Sequence, residues 1–143
     1  MALRIIEHDS SAYRKMVELR DEILRRPLGL TFSEEDLAAE RDDILIAAFE
    51  EERMVACCVL TPQNTASLRL RQMAVSKEAQ GKGVGRAMIR FAETVARDHG
   101  YAKVTMHARA SARGFYEKMG YTVSGPEFVE VTIPHYIMEK NLL

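Results

Sequence analysis

The sequence predicts an α/β fold with one mixed sheet and helices on its faces. Three observations carry this expectation. Apolar runs at residues 44–49 and 54–60 flank the short polar stretch Glu50-Glu51-Glu52-Arg53, which reads as a β-hairpin. Ala12, Met16, Leu19 and Ile23 recur at spacings of four, three and four, and Val84, Met88, Phe91, Ala92 and Val95 share another helical face. The strand before this second helix and the alternating strand at 102–108 after it make a strand–helix–strand unit, which is expected to be parallel and right-handed.

The remaining elements follow in order. Residues 2–8 read as a first strand, and Asp9 or Ser10 can cap the helix that follows. That helix is expected to end at Arg25-Arg26-Pro27, because the residue before a proline leaves the helical region. Residues 28–32 read as a loop, and Ser33-Glu34-Glu35-Asp36 as the cap and first turn of a short helix. The strand at 54–60 ends at Pro62, and Gln63-Asn64-Thr65 turns the chain into a third strand, completing an antiparallel meander. Gly100 closes the long helix. Val104, Met106 and Ala108 share one side of the next strand. Ser111 is read as the cap of a last helix, which runs through Met119 and is closed by Gly120. Residues 121–124 begin a strand, Gly125-Pro126 interrupts it, residues 127–133 carry no clear pattern, and residues 135–141 finish the chain as a strand.

Length and composition bound the function. The 143 residues suit one domain, 1–143. A formal net charge of −1 supplies no bulk attraction to nucleic acid or to an anionic membrane, so neither is an expected partner. The apolar runs are too short to span a bilayer and the first residues lack a secretory apolar region, so a cytoplasmic location is expected. Cys57 and Cys58 are adjacent in a strand and point to opposite faces, which disfavours a mutual disulfide and suits buried thiols, with a reactive cysteine as the alternative. The four His and two Cys show no ligand spacing, so no metal is expected. The final strands, as sheet edges, could pair with a second copy in a homodimer.

The chemistry concentrates in residues 68–86. Leu68 and Leu70 alternate, as do Met73 and Val75, but the two pairs are out of phase, with one extra residue at Arg71-Gln72. A strand that slips by one residue while staying buried needs a β-bulge. The bulge leaves backbone groups unpaired and open to a ligand. Then comes Gln80-Gly81-Lys82-Gly83-Val84-Gly85-Arg86, whose glycines let a bulky group approach the backbone at a helix N-terminus. Free N–H groups and the positive end of the helix dipole there suit a phosphate or pyrophosphate. The spacing matches neither the Gly-x-x-x-x-Gly-Lys-Ser/Thr loop nor the dinucleotide fingerprint.

Gln80-x-x-Gly83-x-Gly85 after an apolar strand resembles the acyl-coenzyme A signature of the GNAT N-acetyltransferases, and the order of elements resembles that fold along nearly the whole chain. Ala112-Arg113-Gly114-Phe115-Tyr116-Glu117-Lys118-Met119-Gly120-Tyr121 resembles a second stretch of the same family. The resemblance implies a mostly antiparallel mixed sheet in which the bulged central strand splays from its parallel neighbour. It implies acetyl-coenzyme A as co-substrate and no metal. Backbone groups of Met73, Ala74 and Val75 would pair with the pantetheine arm. The N–H groups of Gln80, Gly81, Lys82, Gly83, Val84, Gly85 and Arg86 would face the pyrophosphate, with Lys82 and Arg86 adding charge. Ser111 would cap its helix or touch the cofactor.

Tyr116 is the expected catalytic residue, a phenol beside the departing thiolate. Reference pKa values of about 10 and 8.5 allow that proton transfer. Phe115 and Met119, four apart, are expected to supply the core stripe of the helix, with Tyr116 one step off it. Arg109 stands where the family often has asparagine, and either a phosphate or the acceptor is within its expected reach.

The implied reaction moves an acetyl group from acetyl-coenzyme A to a primary amine of a small molecule or peptide by direct attack. Neutralising an alkylammonium at pH 7 costs about 4.6 kcal/mol, so a base is needed. His135, His107, Glu127 and Glu130 are candidates, and the sequence does not choose among them. By the same resemblance Arg25-Arg26 and residues 28–32 line the acceptor side. The alternative function is a non-catalytic acyl-coenzyme A sensor.

Overall fold

The computed structural model describes residues 1–143. Its eight strands form a mixed sheet. Tertiary contacts gather into two compact units, Met1–Thr61 with Arg71–Ala92, and Pro62–Leu70 with Glu93–Leu143.

In the first unit, strands β1 (Ala2–Ile6), β2 (Ile44–Glu50) and β3 (Arg53–Pro62) neighbour one another, followed by the second half of β4 (Ser67–Val75). β1–β2 and β2–β3 are antiparallel. The β2–β3 turn is tight enough to hold Glu51 at φ 56°. Helix α1 (Ser11–Arg20) begins at Ser10, not Asp9, where the hydroxyl accepts from Tyr13 N–H. Its inward stripe is Tyr13, Met16 and Leu19. They pack with Ile6, Leu45, Ala47, Phe49, Cys57, Val59 and Ala74 in one apolar cluster. Each large side chain buried this way contributes roughly 1.5–3 kcal/mol.

The end of the first helix departs from expectation. Arg26 keeps helical dihedrals despite preceding Pro27. The backbone first widens to π-helical spacing over Asp21–Arg25, with Arg26 N–H bonded to Asp21 O, and then tightens into a 3₁₀ turn, Arg26–Leu28. Proline is tolerated at the start of that new turn, where its missing N–H has no partner to lose. Gly29, at φ 69°, ends the turn. Helix α2 (Glu34–Ala38) carries the expected capping box: Ser33 Oγ accepts from Asp36 N–H and the Asp36 carboxylate accepts from Ser33 N–H. Cys57 and Cys58 are free and fully buried, and burial pushes the Cys57 thiol up to about 12.

In the second unit, residues 67–70 of β4 pair in parallel with residues 103–106 of β5 (Lys103–Arg109). Pairing stops there, while β5 continues to Arg109 against β8 (Ile133–Asn141). β6 (Thr122–Val123) and β7 (Phe128–Glu130) also pair with β8. The patternless stretch is therefore a hairpin, with Val131 at φ 45° and Thr132 at φ 65° at its tip. Two left-handed residues in succession are normally Asn and Gly; two β-branched residues there hide the turn from a sequence reading.

Helix α3 (Val84–Asp98) runs from the glycine-rich loop to Gly100, at φ 84°. α4 (Arg113–Lys118) packs on the β5–β8 face that carries Val104 and its partner Lys140. Lys140 fixes it by donating to Met119 O at 2.9 Å and to Glu93 of α3 at 3.1 Å. No helix is long and apolar enough to cross a membrane.

Candidate active site

The bulge expected at Arg71-Gln72 is present: Gln72 sits at φ 55°. The face changes there. Ala74 joins the apolar cluster under α1, whereas Leu68 and Leu70, of the same parity, are not part of it. Met73 and Val75 are half-buried instead of fully buried, and Ala74 is the buried residue of the three. The reason is packing: past the bulge it is Ala74 that turns toward α1.

Beyond β4 the chain makes a 3₁₀ turn, Lys77–Ala79. Gln80 locks its far side. Its side-chain amide donates to Val75 O at 3.0 Å, and its N–H donates to Ser76 O at 3.1 Å. That N–H is therefore spent inside the turn, which corrects the assignment of Gln80 N–H to a pyrophosphate. Gly81 and Gly83 take φ 78° and 80° with open space where a Cβ would stand, so these positions need glycine for backbone freedom. Ala87 N–H closes onto Gly83 O at 3.1 Å. The N–H groups of Val84, Gly85 and Arg86 before it belong to the first turn of α3 and lack helical partners. Lys82 and Arg86 are exposed beside them. The loop thus offers N–H donors, a helix dipole and two exposed cations, which together suit a pyrophosphate. Arg53 and Glu78 pair at 3.1 Å behind the turn, and Ser76 Oγ is buried there without a partner.

In the second unit Phe115 and Tyr116 exchange the places expected of them on α4, while Met119 is buried as expected. Phe115 is exposed, and Tyr116 and Met119 are the buried residues. The Tyr116 ring meets those of Phe115 and Tyr121 edge-on, at 5.1 and 5.9 Å. The helix is only six residues long and its register starts later than read from sequence. Ser111 does not cap it: Ser111 lies within a 3₁₀ turn, Ala110–Ala112, the cap position is Ala112, and no side chain caps that end. Arg109 and Ser111 are both exposed.

The four candidate bases separate clearly. His135 is buried and its Nδ1 is engaged by Ile133 O at 2.7 Å. Glu127 accepts from the Tyr136 hydroxyl at 3.0 Å. His107 and Glu130 meet at 2.7 Å, Nδ1 to Oε2, on the β5 face opposite Val104, Met106 and Ala108. Burial pulls the Glu130 carboxyl upward, but its bond to His107 and the charges of His107, His135 and Arg69 outweigh that and hold it below the ordinary range. The sequence reading missed Arg69, which reaches within 2.9 Å of the same His107 nitrogen; its signal is a charged residue between two buried leucines.

It also missed a buried ionic cluster in the first unit. Arg20 makes a two-pronged pair with Glu40 at 2.7 and 2.8 Å, and Tyr13 donates to Glu40 at 2.7 Å. Arg20 and Arg25 stack on Phe32 at 4.6 and 4.5 Å, which ties the loop at 28–32 to the end of the first helix.

Known proteins share the family and the fold. The Acetyltransferase (GNAT) domain profile matches residues 30–142. The uncharacterized protein YyaT of Bacillus subtilis is 31% identical over 74 residues, 52% of this chain and 50% of that protein, so the match spans about half the length of such relatives. The uncharacterized N-acetyltransferase YjcF of Bacillus subtilis is 25% identical over 96% of this chain and 98% of its own. The crystal structure of an aminoglycoside 6'-N-acetyltransferase complexed with coenzyme A superposes with a TM-score of 0.85, covering 100% of this chain and 98% of that one at 15% identity, which shows a shared fold. Taken with the bulged strand and the glycine-rich loop, the match over residues 30–142 means that the chain belongs to the GNAT acetyltransferase family.

Proposed function

We propose that the protein transfers an acetyl group from acetyl-coenzyme A to a primary amine of a small molecule or peptide, in the cytoplasm and without a metal. One observation carries the reading: the family's coenzyme A signature lies at the N-terminus of a fifteen-residue helix, with Gly81 and Gly83 left-handed and the N–H groups of residues 84–86 without helical partners. The pyrophosphate is assigned to those groups with Lys82 and Arg86. Backbone groups of Met73, Ala74 and Val75, just past the bulge, are assigned to the pantetheine arm.

In the reaction the neutral amine attacks the thioester carbonyl carbon. A C–N bond forms, the C–S bond breaks, the nitrogen gives up one proton to a base or to solvent, and the leaving sulfur takes one. Tyr116 is the assigned donor, restored afterwards from solvent. Its burial strengthens a hydrogen bond to a developing thiolate by excluding competing water.

Calorimetric titration with acetyl-coenzyme A, then thiol release measured with polyamines, aminoglycosides, amino acids and peptides, tests the proposal. Binding with turnover on one amine is expected. Tyr116→Phe should keep binding and lose rate. Binding without turnover on any amine would identify a sensor instead, and absence of binding would remove both readings.

A further inference from the structure

We propose that His107, held by Glu130, is the base that takes the proton from the acceptor amine, an inference that rests on the acyltransferase reading. The two residues come from different strands, β5 and β7, and meet at 2.7 Å. Glu130 is a carboxylate at neutral pH, because its carboxyl is held below the ordinary range. A carboxylate only accepts hydrogen bonds. The hydrogen between it and the ring therefore belongs to His107 Nδ1. The 2.9 Å approach of Arg69 to the same nitrogen is then an electrostatic contact with the Glu130–His107 pair and not a donation to the ring.

The consequence lies on the other ring nitrogen. With its hydrogen on Nδ1, neutral His107 keeps a lone pair on Nε2, which has no hydrogen-bond partner in the structure. The side chain is 27% exposed, enough for an amine or a bridging water to reach it. Phe128 sets the ring edge-on at 5.2 Å and is itself stacked on the buried His135 at 5.8 Å. The groups facing His107 are thus Arg69 from β4, Glu130 and Phe128 from β7, and His135 from β8. When Nε2 takes the amine's proton, the imidazolium donates from Nδ1 to Glu130, whose charge stabilises it, while Arg69 returns it to neutrality on release.

Topology agrees with the division of labour. His107 projects from the β5 face opposite the one on which α4, with Tyr116, packs. A base on one face of β5 and a sulfur proton donor on the helix over the other keep the two proton transfers on separate groups.

The test compares two nucleophiles in wild type and His107→Gln: the primary amine turned over fastest in the panel above, and hydroxylamine, which is already a free base at neutral pH. Loss of about 100-fold in kcat/KM for the amine at pH 7, with little change for hydroxylamine, is expected of a lost general base. Nitrogen-15 NMR of the wild-type His107 ring should show hydrogen on Nδ1 and a bare Nε2 at pH 8, and Glu130→Gln should move the hydrogen to Nε2. An equal loss for both nucleophiles, no loss for either, or a wild-type ring protonated on Nε2 would overturn the proposal. A wild type inert toward both nucleophiles would overturn the transferase reading and the base role with it, and the ring spectrum separates that case from a misassigned base.

Discussion

Two clusters of opposed charges, one in each unit, differ in how far water reaches their carboxylates. In the first, Arg20 is fully buried, Glu40 nearly so, and the carboxylate takes two bonds from Arg20 and one from Tyr13. In the second, His107 and Glu130 are partly exposed, and one ring nitrogen is left over. The first cluster has no spare lone pair that solvent can reach, so its work is to join α1 to the segment after α2. The second keeps an unused acceptor at the surface, which is what proton transfer needs. Charge alone does not mark a reactive site; an unspent atom with access to solvent does.

The sharpest way to test that contrast is Arg20→Ala. It removes the two-pronged partner of buried Glu40, leaving Tyr13 and the longer 3.8 Å contact to Arg71, and should cost about 3–5 kcal/mol in urea unfolding. Replacing the set together, Tyr13→Phe, Arg20→Met and Glu40→Leu, should recover most of that, as expected where burial of charge opposes its own pairing. A small loss in the single variant would break the comparison.

The pH dependence follows with a definite sign. Burial pulls the Glu40 carboxyl upward, but Arg20 and Tyr13 outweigh it and leave it below the ordinary range. A depressed folded value means stability that is present above the unfolded carboxylate pKa and lost as pH falls through the folded one. Denaturation midpoints should therefore drop below about pH 4 in wild type. The slope should flatten markedly in the triple variant and only slightly in Glu130→Gln, whose partner is exposed.

The hairpin that carries Glu130 offers a smaller effect of opposite sign. Val131→Asn with Thr132→Gly puts turn-forming residues at two left-handed positions and should stabilise by about 1–2 kcal/mol. Glu130→Gln itself should change stability by less than about 1 kcal/mol, the range of a solvent-exposed pair. Last, Cys57 and Cys58 should not react with a thiol reagent until the chain unfolds, because burial raises both thiols far from ionisation.

Much of this was legible in the residues, where the signal is local. The phase slip between Leu70 and Met73 marks a bulge because strand side chains alternate with period two. Ser33 and Asp36 mark a capping box, and glycines mark left-handed turns, because these depend on a few neighbouring backbone groups. The misreadings are equally local in origin. Ser111 looks like a cap although the cap position falls one residue later, and Phe115 and Met119, four apart, look like a core pair although the buried pair is Tyr116 and Met119, three apart. The β7–β8 tip was unreadable because Val131 and Thr132 argue against the turn they form.

The sequence by itself determined the fold class, through the order and periodicity of its elements, and the bulge and the loop that mark this chain as a GNAT acetyltransferase, each written within a dozen contiguous residues. Only the tertiary structure brought Arg20 to Glu40, twenty residues on, and His107 to Arg69 and Glu130, thirty-eight and twenty-three residues away. Such pairings depend on strand register and on which faces of a sheet remain uncovered, and no local pattern encodes either.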